Sequence, residues 1–495
     1  MCFPFSFYIT VSKHEGKEFL RIIEKEVSFL KETKSSMLNM TEGNPTALLV
    51  KFSIPMLIGN LFQQVYNLVD SIIVGQFVGS DALAAIGATT SATFLFFALC
   101  NGIGNGGGII TSQSFGRGDK REVKACIVNT AFIMLVFPLL VGIIAFCLAG
   151  PLLRLLETPA DVLSESLKYM RTMCVGIVFV SLYNFASAML RALGDSRTPL
   201  YFLIFSCILN AVLDLLFVYV FGMGVMGAGV ATVISQFMSG ITCLIYAVKK
   251  NEHFRIKREE MKFDRKIASR VIRLGVPLSL QFSLIAVSCM ALQRVVNSFG
   301  SVAMAAFTAT SRMEQIIHQP YQTLGTALST YTGQNYGARR YDRVSAGFRK
   351  AFLIMITFSL LMLPVMQLFG DNIIRIFVRK EETEVIEMGA RALRITSLFY
   401  ACLGSIYVVR GVLNGLGDAF FALLNGIVEV IGRFTFPFIL TGFAAIGVWG
   451  IWWSVGIVWS MAGGSALLRY ISYKKRKMAP VSEPGGRPVM RREMS

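Results

Sequence analysis

The sequence predicts an all-α integral membrane protein of about twelve transmembrane helices, built as two pseudo-symmetric six-helix bundles around a central cavity. Three observations carry that prediction: an apolar composition broken into runs of membrane-spanning length, connections that alternate in charge, and an internal repeat. Of the 495 residues, 54% are hydrophobic and 16% charged, where a soluble domain usually carries about 25% charged residues. Apolar runs of about 20 residues recur throughout, each long enough to cross roughly 30 Å of hydrocarbon as a helix.

Taken in order, the spans read 48–74, 83–111, 124–149, 167–190, 199–221 and 226–248, then 271–297, 303–331, 347–369, 391–413, 419–440 and 445–470. The chain thereby divides into an N-terminal extension (1–44), a first bundle (45–248), a basic linker (249–270), a second bundle (271–472) and a basic tail (473–495). The extension does not read as a signal peptide. Its apolar stretch Phe3 to Val11 is short, and no Lys or Arg precedes it. Glu18 to Leu30 has the pattern of a charged amphipathic helix, and "MLNMTEGNPTALLVKF" from Met37 has the look of a start in its own right.

The connections set the orientation. Gln76 to Asp81 and Gly222 to Gly224 carry no Lys or Arg, whereas Arg117, Lys120, Arg121 and Lys124 crowd the connection after the second span. Lys249 to Lys266 is strongly basic, Arg339, Arg340 and Arg343 repeat the pattern, and the tail carries Lys474 to Lys477. Basic short loops stay in the cytoplasm. Both termini and the linker are therefore expected on the cytoplasmic side of a plasma (inner) membrane. The net charge of +18 belongs to these topology signals and not to a nucleic-acid face. The nine cysteines include no CxxC pair and read as small apolar fillers.

The repeat is direct. "TSQSFGRGDKREV" from Thr111 matches "TGQNYGARRYDRV" from Thr332, and "GSDALAAIGA" from Gly79 matches "GSVAMAAFTA" from Gly300, both at an offset of 221. Pro55 pairs with Pro277, and Leu193–Asp195 with Leu416–Asp418. With six spans each, both halves enter the membrane from the same side, and a substrate path is expected between them. Two halves in one chain make a monomer sufficient.

Chemistry concentrates in a few intramembrane polar residues. Asn60, Gln63, Gln64, Asn67 and Asp70 fall within about 120° of one face of span one, at 100° per residue. An acid at a helix centre costs about 2.5–3.5 kcal/mol on insertion scales, so this stripe faces a partner helix or a watery cavity. Asp214 in span five has Asn210 one turn before it, stacked on the same face. Two carboxylates and an amide oxygen suit Na⁺; two acids held close serve equally as a proton carrier. Thr232 in span six either adds a hydroxyl or bonds back to its own helix. Glu314 in span eight is a candidate second acid, and Glu429 and Arg433 are spaced to pair with each other. "NGIGNGGG" from Asn101 sits inside an apolar span with no strand before it, which excludes a dinucleotide site and points to close helix packing. His318, beside Pro320, reads as structural. Metal or catalytic constellations such as HExxH or GxSxG are missing, so neither an enzyme nor a cofactor is expected, and no segment resembles a re-entrant channel filter.

The chain resembles the multidrug and toxic compound extrusion (MATE) family of the MOP superfamily, over roughly Met37 to Tyr473. The resemblance rests on "IPMLIGNLFQQVYNLVDSIIVG", "DALAAIG", "TSQSFGRGD", "RALGDSRTP", "NAVLDLLFVYVFGMGVMGAGVATVIS" and "ALSTYTGQNYGARR". It implies two six-helix bundles around a V-shaped cavity and the exchange of Na⁺ or H⁺ for organic cations and other amphipathic small molecules. In the DinF-like branch it implies a first-half cation site at Asp70, Asn210, Asp214 and Thr232. Gln63, Asn67, Gln281 and Glu314 are then candidate polar residues of the cavity. In another branch an acid in span seven matters; this chain offers Gln281 near that place. The alternative within the superfamily is a flippase of lipid-linked oligosaccharide or another lipid, whose members often have a cavity lined with Arg or Lys. No comparable basic residues are expected within these spans.

Overall fold

The computed structural model describes residues 37–155, 158–379 and 381–477, with 481–482 and 488–489. Phe3–Val11 and Glu18–Leu30 lie outside the described residues. The first half holds α1 (Pro45–Phe77), α2 (Ser80–Gly116), α3 (Lys120–Leu155), α4 (Ala160–Ala192), α5 (Arg197–Asp214) and α6 (Gly224–Lys250). The second holds α7 (Arg265–Asn297), α8 (Gly300–Gly337), α9 (Tyr341–Ile374), the pair α10 (Thr383–Ser397) and α11 (Tyr400–Gly415), α12 (Ala419–Gly442) and α13 (Gly450–Lys477). Val481–Ser482 and Pro488–Val489 form a minimal antiparallel pair.

Local chemistry explains the helix starts. Asn44 caps α1 by accepting from the Thr46 and Ala47 amides, with Pro45 at the first helical position. Asp264 does the same for α7 through Lys266 and Ile267. Among the described residues, ten helices are long and apolar enough to cross a membrane, and α10 with α11, bent by 52° at their junction, make an eleventh span. The twelfth is α8. Its 38 residues reach about 57 Å at 1.5 Å per residue. It is less apolar because Glu314, Gln315, His318 and Gln322 face an internal cavity instead of lipid.

The halves interlock. α1 packs on α5 of its own half and on α8 and α9 of the other; α7 packs on α12 of its own half and on α2 and α3 of the other. These contacts are each other's images under the repeat. Leu49 and Phe52 of α1 are fully buried in the second-half core. Glycines permit the approach. A Cβ on Gly102 would lie 2.2 Å from the Ser279 amide nitrogen, and one on Gly106 would lie 2.6 Å from that of Gly275, so the glycine run in α2 is a packing groove for α7.

At one end the two halves are joined by reciprocal bonds. Gln113 donates to the Gly415 carbonyl at 2.9 Å, and Gln334 donates to the Ala192 carbonyl at 3.0 Å. α2 and α8 cross here, with Gly116 against Gln334 and Gly337 against Gln113. The segment Leu38–Gly43 lies over this crossing. Leu38 donates to Gly194 O of the first half at 3.0 Å. Buried Met40 donates to Gln334 Oε1 at 2.9 Å and accepts from Asn335 and Arg343. Arg340 and Arg343 hold the carbonyls of Thr41 and Gly43. Gly194 has φ +88°, and a Cβ there would meet Leu38 O at 2.1 Å.

Candidate functional site

Two polar sites are built into the membrane-spanning helices. The first joins α1, α5 and α6. Asn210 and Asp214 point from one face of α5 and are almost wholly buried. The α-helix ends at Asp214 and continues as a π-helical turn, Leu215–Val220, a local widening often found at functional positions. Turned with its nitrogen toward Asp214, the Asn210 amide donates to Asp214 Oδ2 at 2.7 Å and accepts the Thr232 N–H at 3.1 Å. Asp70 of α1 approaches from the other side, and its carboxyl lies within hydrogen-bonding reach of the Asp214 carboxyl. One oxygen of each acid, Oδ1 of Asp70 and Oδ1 of Asp214, is buried without a partner among the described residues.

The structure thus brings Asp70, Asn210, Asp214 and Thr232 together from three helices. The Thr232 hydroxyl meets Tyr66 Oη at 3.1 Å, so it faces the cluster. Tyr66 is a member that the sequence reading misses, although it stands one helical turn before Asp70 on the same face. Tyr169 of α4, buried, closes the cluster within electrostatic range of both acids.

The second site lines a cavity of about 600 Å³ between the halves. Gln281 and Glu314 line it; Gln63 and Asn67 are not among its lining residues. On α1, Asn67 is exposed and Gln63 half-buried, and besides Asp70 the stripe reaches inward through Asn60, which donates to Thr323 of α8 at 3.2 Å. Oε1 of Glu314 is buried and without a partner among the described residues. His318 sits edge-on to Trp459 and 3.4 Å from Tyr407 Oη.

Glu429 is the centre of a buried ion network. Arg433 approaches it at 3.6 Å, the i,i+4 pair expected from spacing. Arg410 of α11 donates to the other carboxylate oxygen. Arg410 also donates to Asn425 Oδ1 at 2.6 Å, and Asn425 donates in turn to Ala462 O and Ser465 Oγ. With its amide oxygen turned inward, Gln281 accepts from Arg410 at 3.0 Å. The expectation that no comparable basic residues stand within the spans is corrected here: besides Arg433, already placed in span eleven, Arg410 stands inside span ten, and Arg191, just past the end of span four, lines the cavity with them. A lone arginine in the apolar stretch Tyr407–Val412 was the available signal. Such a charge persists in a membrane bundle when a buried carboxylate neutralises it, as Glu429 does.

Comparison with known proteins places these sites in context. A family model described as MatE matches the chain twice, over residues 55–216 and 277–439. The chain is 33% identical over 447 residues to a probable multidrug resistance protein, YpnP, of Bacillus subtilis (strain 168), covering 89% of this chain and 98% of the relative. It is 23% identical to the multidrug export protein MepA of Staphylococcus aureus (strain bovine RF122 / ET3-1), over 91% of this chain and 99% of that protein. A solved MOP superfamily transporter from Pyrococcus furiosus Vc1 (DSM3638) superposes with a TM-score of 0.83 at 24% identity, over 90% of this chain and all of the other, which shows the shared fold. With one match falling on each half of the repeat, and with relatives aligned over nearly their whole length, the chain belongs to the MatE family of multidrug efflux transporters.

Proposed function

We propose that the protein exports amphipathic or cationic organic compounds across the plasma membrane in exchange for Na⁺ or H⁺, working as a monomer with both termini in the cytoplasm. The observation that carries the coupling is the meeting of Asp70 and Asp214 from two different helices, each with a buried oxygen lacking a partner among the described residues. Two carboxyls in hydrogen-bonding contact need a proton on one of them or a cation between them. The Asn210 and Thr232 oxygens complete a hard-oxygen set for Na⁺. α1 carries Asp70 and leans on both halves, with Pro55 inside it, where the missing N–H makes a natural bending point. Ion loading therefore acts on a helix shared between the halves. Cargo occupies the cavity between them, and coupling is a difference in each ligand's affinity for the outward-open and inward-open states. The relatives' multidrug names support a drug-like cargo over a lipid-linked oligosaccharide.

The test is efflux of ethidium from everted or loaded vesicles, with the Na⁺ and pH gradients collapsed separately. Loss on collapsing one of them names the coupling ion. Asp70→Asn is expected to abolish coupled efflux while the purified protein melts as a folded species; undiminished efflux by that variant would overturn the assignment.

A further inference from the structure

The three cavity arginines are not equivalent. Arg410 and Arg433 are committed to Glu429. Arg191, in the last turn of α4, makes no ion pair among the described residues; its side chain donates a hydrogen bond to Ser187 of its own helix. It is half-buried and lines the cavity. Its counterpart under the repeat is Asn414 of α11, since Leu193–Asp195 aligns with Leu416–Asp418. Asn414 lines the same cavity, and its Oδ1 is buried without a partner among the described residues. Each of the two stands one residue before a carbonyl held by the opposite half, Ala192 by Gln334 and Gly415 by Gln113. The cavity floor is therefore pinned from both sides. It presents a guanidinium without an ion-pair partner on one side and an amide carbonyl oxygen without a hydrogen-bond partner on the other, both among the described residues, with the hydroxyls of Ser112, Thr326 and Ser329 also on its lining.

We propose that Arg191 anchors a carboxylate on the cargo, with Asn414 accepting a neighbouring N–H or O–H, so that the cavity selects amphipathic organic acids over otherwise identical compounds lacking the carboxylate. A planar guanidinium fork matches a carboxylate in two hydrogen bonds. A cation at the end of its helix that lines the cavity without a carboxylate of its own is most simply retained for a partner that arrives with the cargo. The inference rests on the export reading for the direction of movement, and on the cavity alone for binding.

The experiment is binding of a rhodamine with a free carboxylate, and of its methyl ester, to the purified full chain, followed by fluorescence anisotropy. The wild type is expected to bind the acid about tenfold to a hundredfold more tightly than the ester, the range for a charge-assisted bond. Arg191→Gln is expected to erase the preference and Arg191→Lys to keep a fraction of it. Equal affinities in the wild type, a measurement that needs no variant, would overturn the proposal. So would a preference that survives Arg191→Gln. Efflux of the ester by wild-type vesicles reports on export separately. Absence of efflux of both dyes beside a retained acid preference sinks the export reading and leaves the anchor standing.

Discussion

Adding a single methyl group at the α2–α8 crossing should loosen the joint between the halves. A Cβ on Gly337 would lie 1.9 Å from the Gln113 carbonyl oxygen and 2.7 Å from its carbon. Reaching even 3.0 Å requires a retreat of about 1.1 Å (3.0 − 1.9), and the obstructing atoms are helix backbone, not a side chain that can swing aside. The same carbonyl already accepts the Arg117 amide that ends α2. Overpacking alone costs about 1–3 kcal/mol. Separating the helices also strains the bonds from Gln113 to Gly415 and from Gln334 to Ala192, each worth about 0.6 kcal/mol inside a membrane bundle. Gly337→Ala is therefore expected to destabilise the protein by about 2–4 kcal/mol. The assay is thermal unfolding of purified protein beside Gly464→Ala in α13, a site where a Cβ meets nothing within 4 Å. Gly116→Ala should act like Gly337→Ala, and the double variant should cost less than the sum because both changes open the same joint. A Gly337→Ala protein that melts with the wild type would refute the reasoning.

Two further outcomes follow from charged groups. Glu429→Gln leaves Arg410 and Arg433 buried without their carboxylate and should cost about 3–5 kcal/mol, whereas Asp371→Asn, which breaks the half-exposed pair with Arg394, should cost at most about 1 kcal/mol; comparable drops in melting temperature would refute the network's role. His253, in the linker, is buried with its ring edge-on to Phe115. Burial holds its pKa below the ordinary histidine value, against a smaller opposing pull from Glu252. A depressed pKa in the fold means stability present above the unfolded value of about 6.5 and lost as pH falls below it, where the unfolded chain takes the proton first. Melting temperature should therefore fall between about pH 7 and pH 5, and His253→Phe should flatten that slope relative to the wild type; an unchanged slope would exclude His253 as its source.

Much of this architecture is legible in the residues. Span length and apolar character fix the helices because a bilayer leaves backbone few other ways to satisfy its hydrogen bonds. The repeat, read from Thr111 and Thr332, reappears as Gln113 and Gln334 exchanging bonds across the joint. Asn210 with Asp214, and Glu429 with Arg433, could be paired from i,i+4 spacing alone. What sequence spacing does not carry is the meeting of distant helices. Nothing local tells that Asp70 meets Asp214, that Arg410 reaches Glu429, or that Met40 is fastened by Gln334. The bend after Ser397 is equally silent, since no proline or glycine marks it. α8 reads as a span in the sequence because it is flanked and repeated like one, yet its polarity makes sense only once the cavity it faces is known.

The interlocking of α1 with the second half bears on how the chain is made. α1 leaves the ribosome before the other described helices, but the surfaces that bury Leu49 and Phe52 belong to helices synthesised after the whole first half is complete. Until α8 and α9 arrive, α1 waits in the bilayer with the face that carries Leu49 and Phe52 uncovered, and the carbonyls of Met40, Thr41 and Gly43 wait unclaimed. Maturation is therefore a late, long-range event, and a chain stopped at the linker holds half the helices without half the fold.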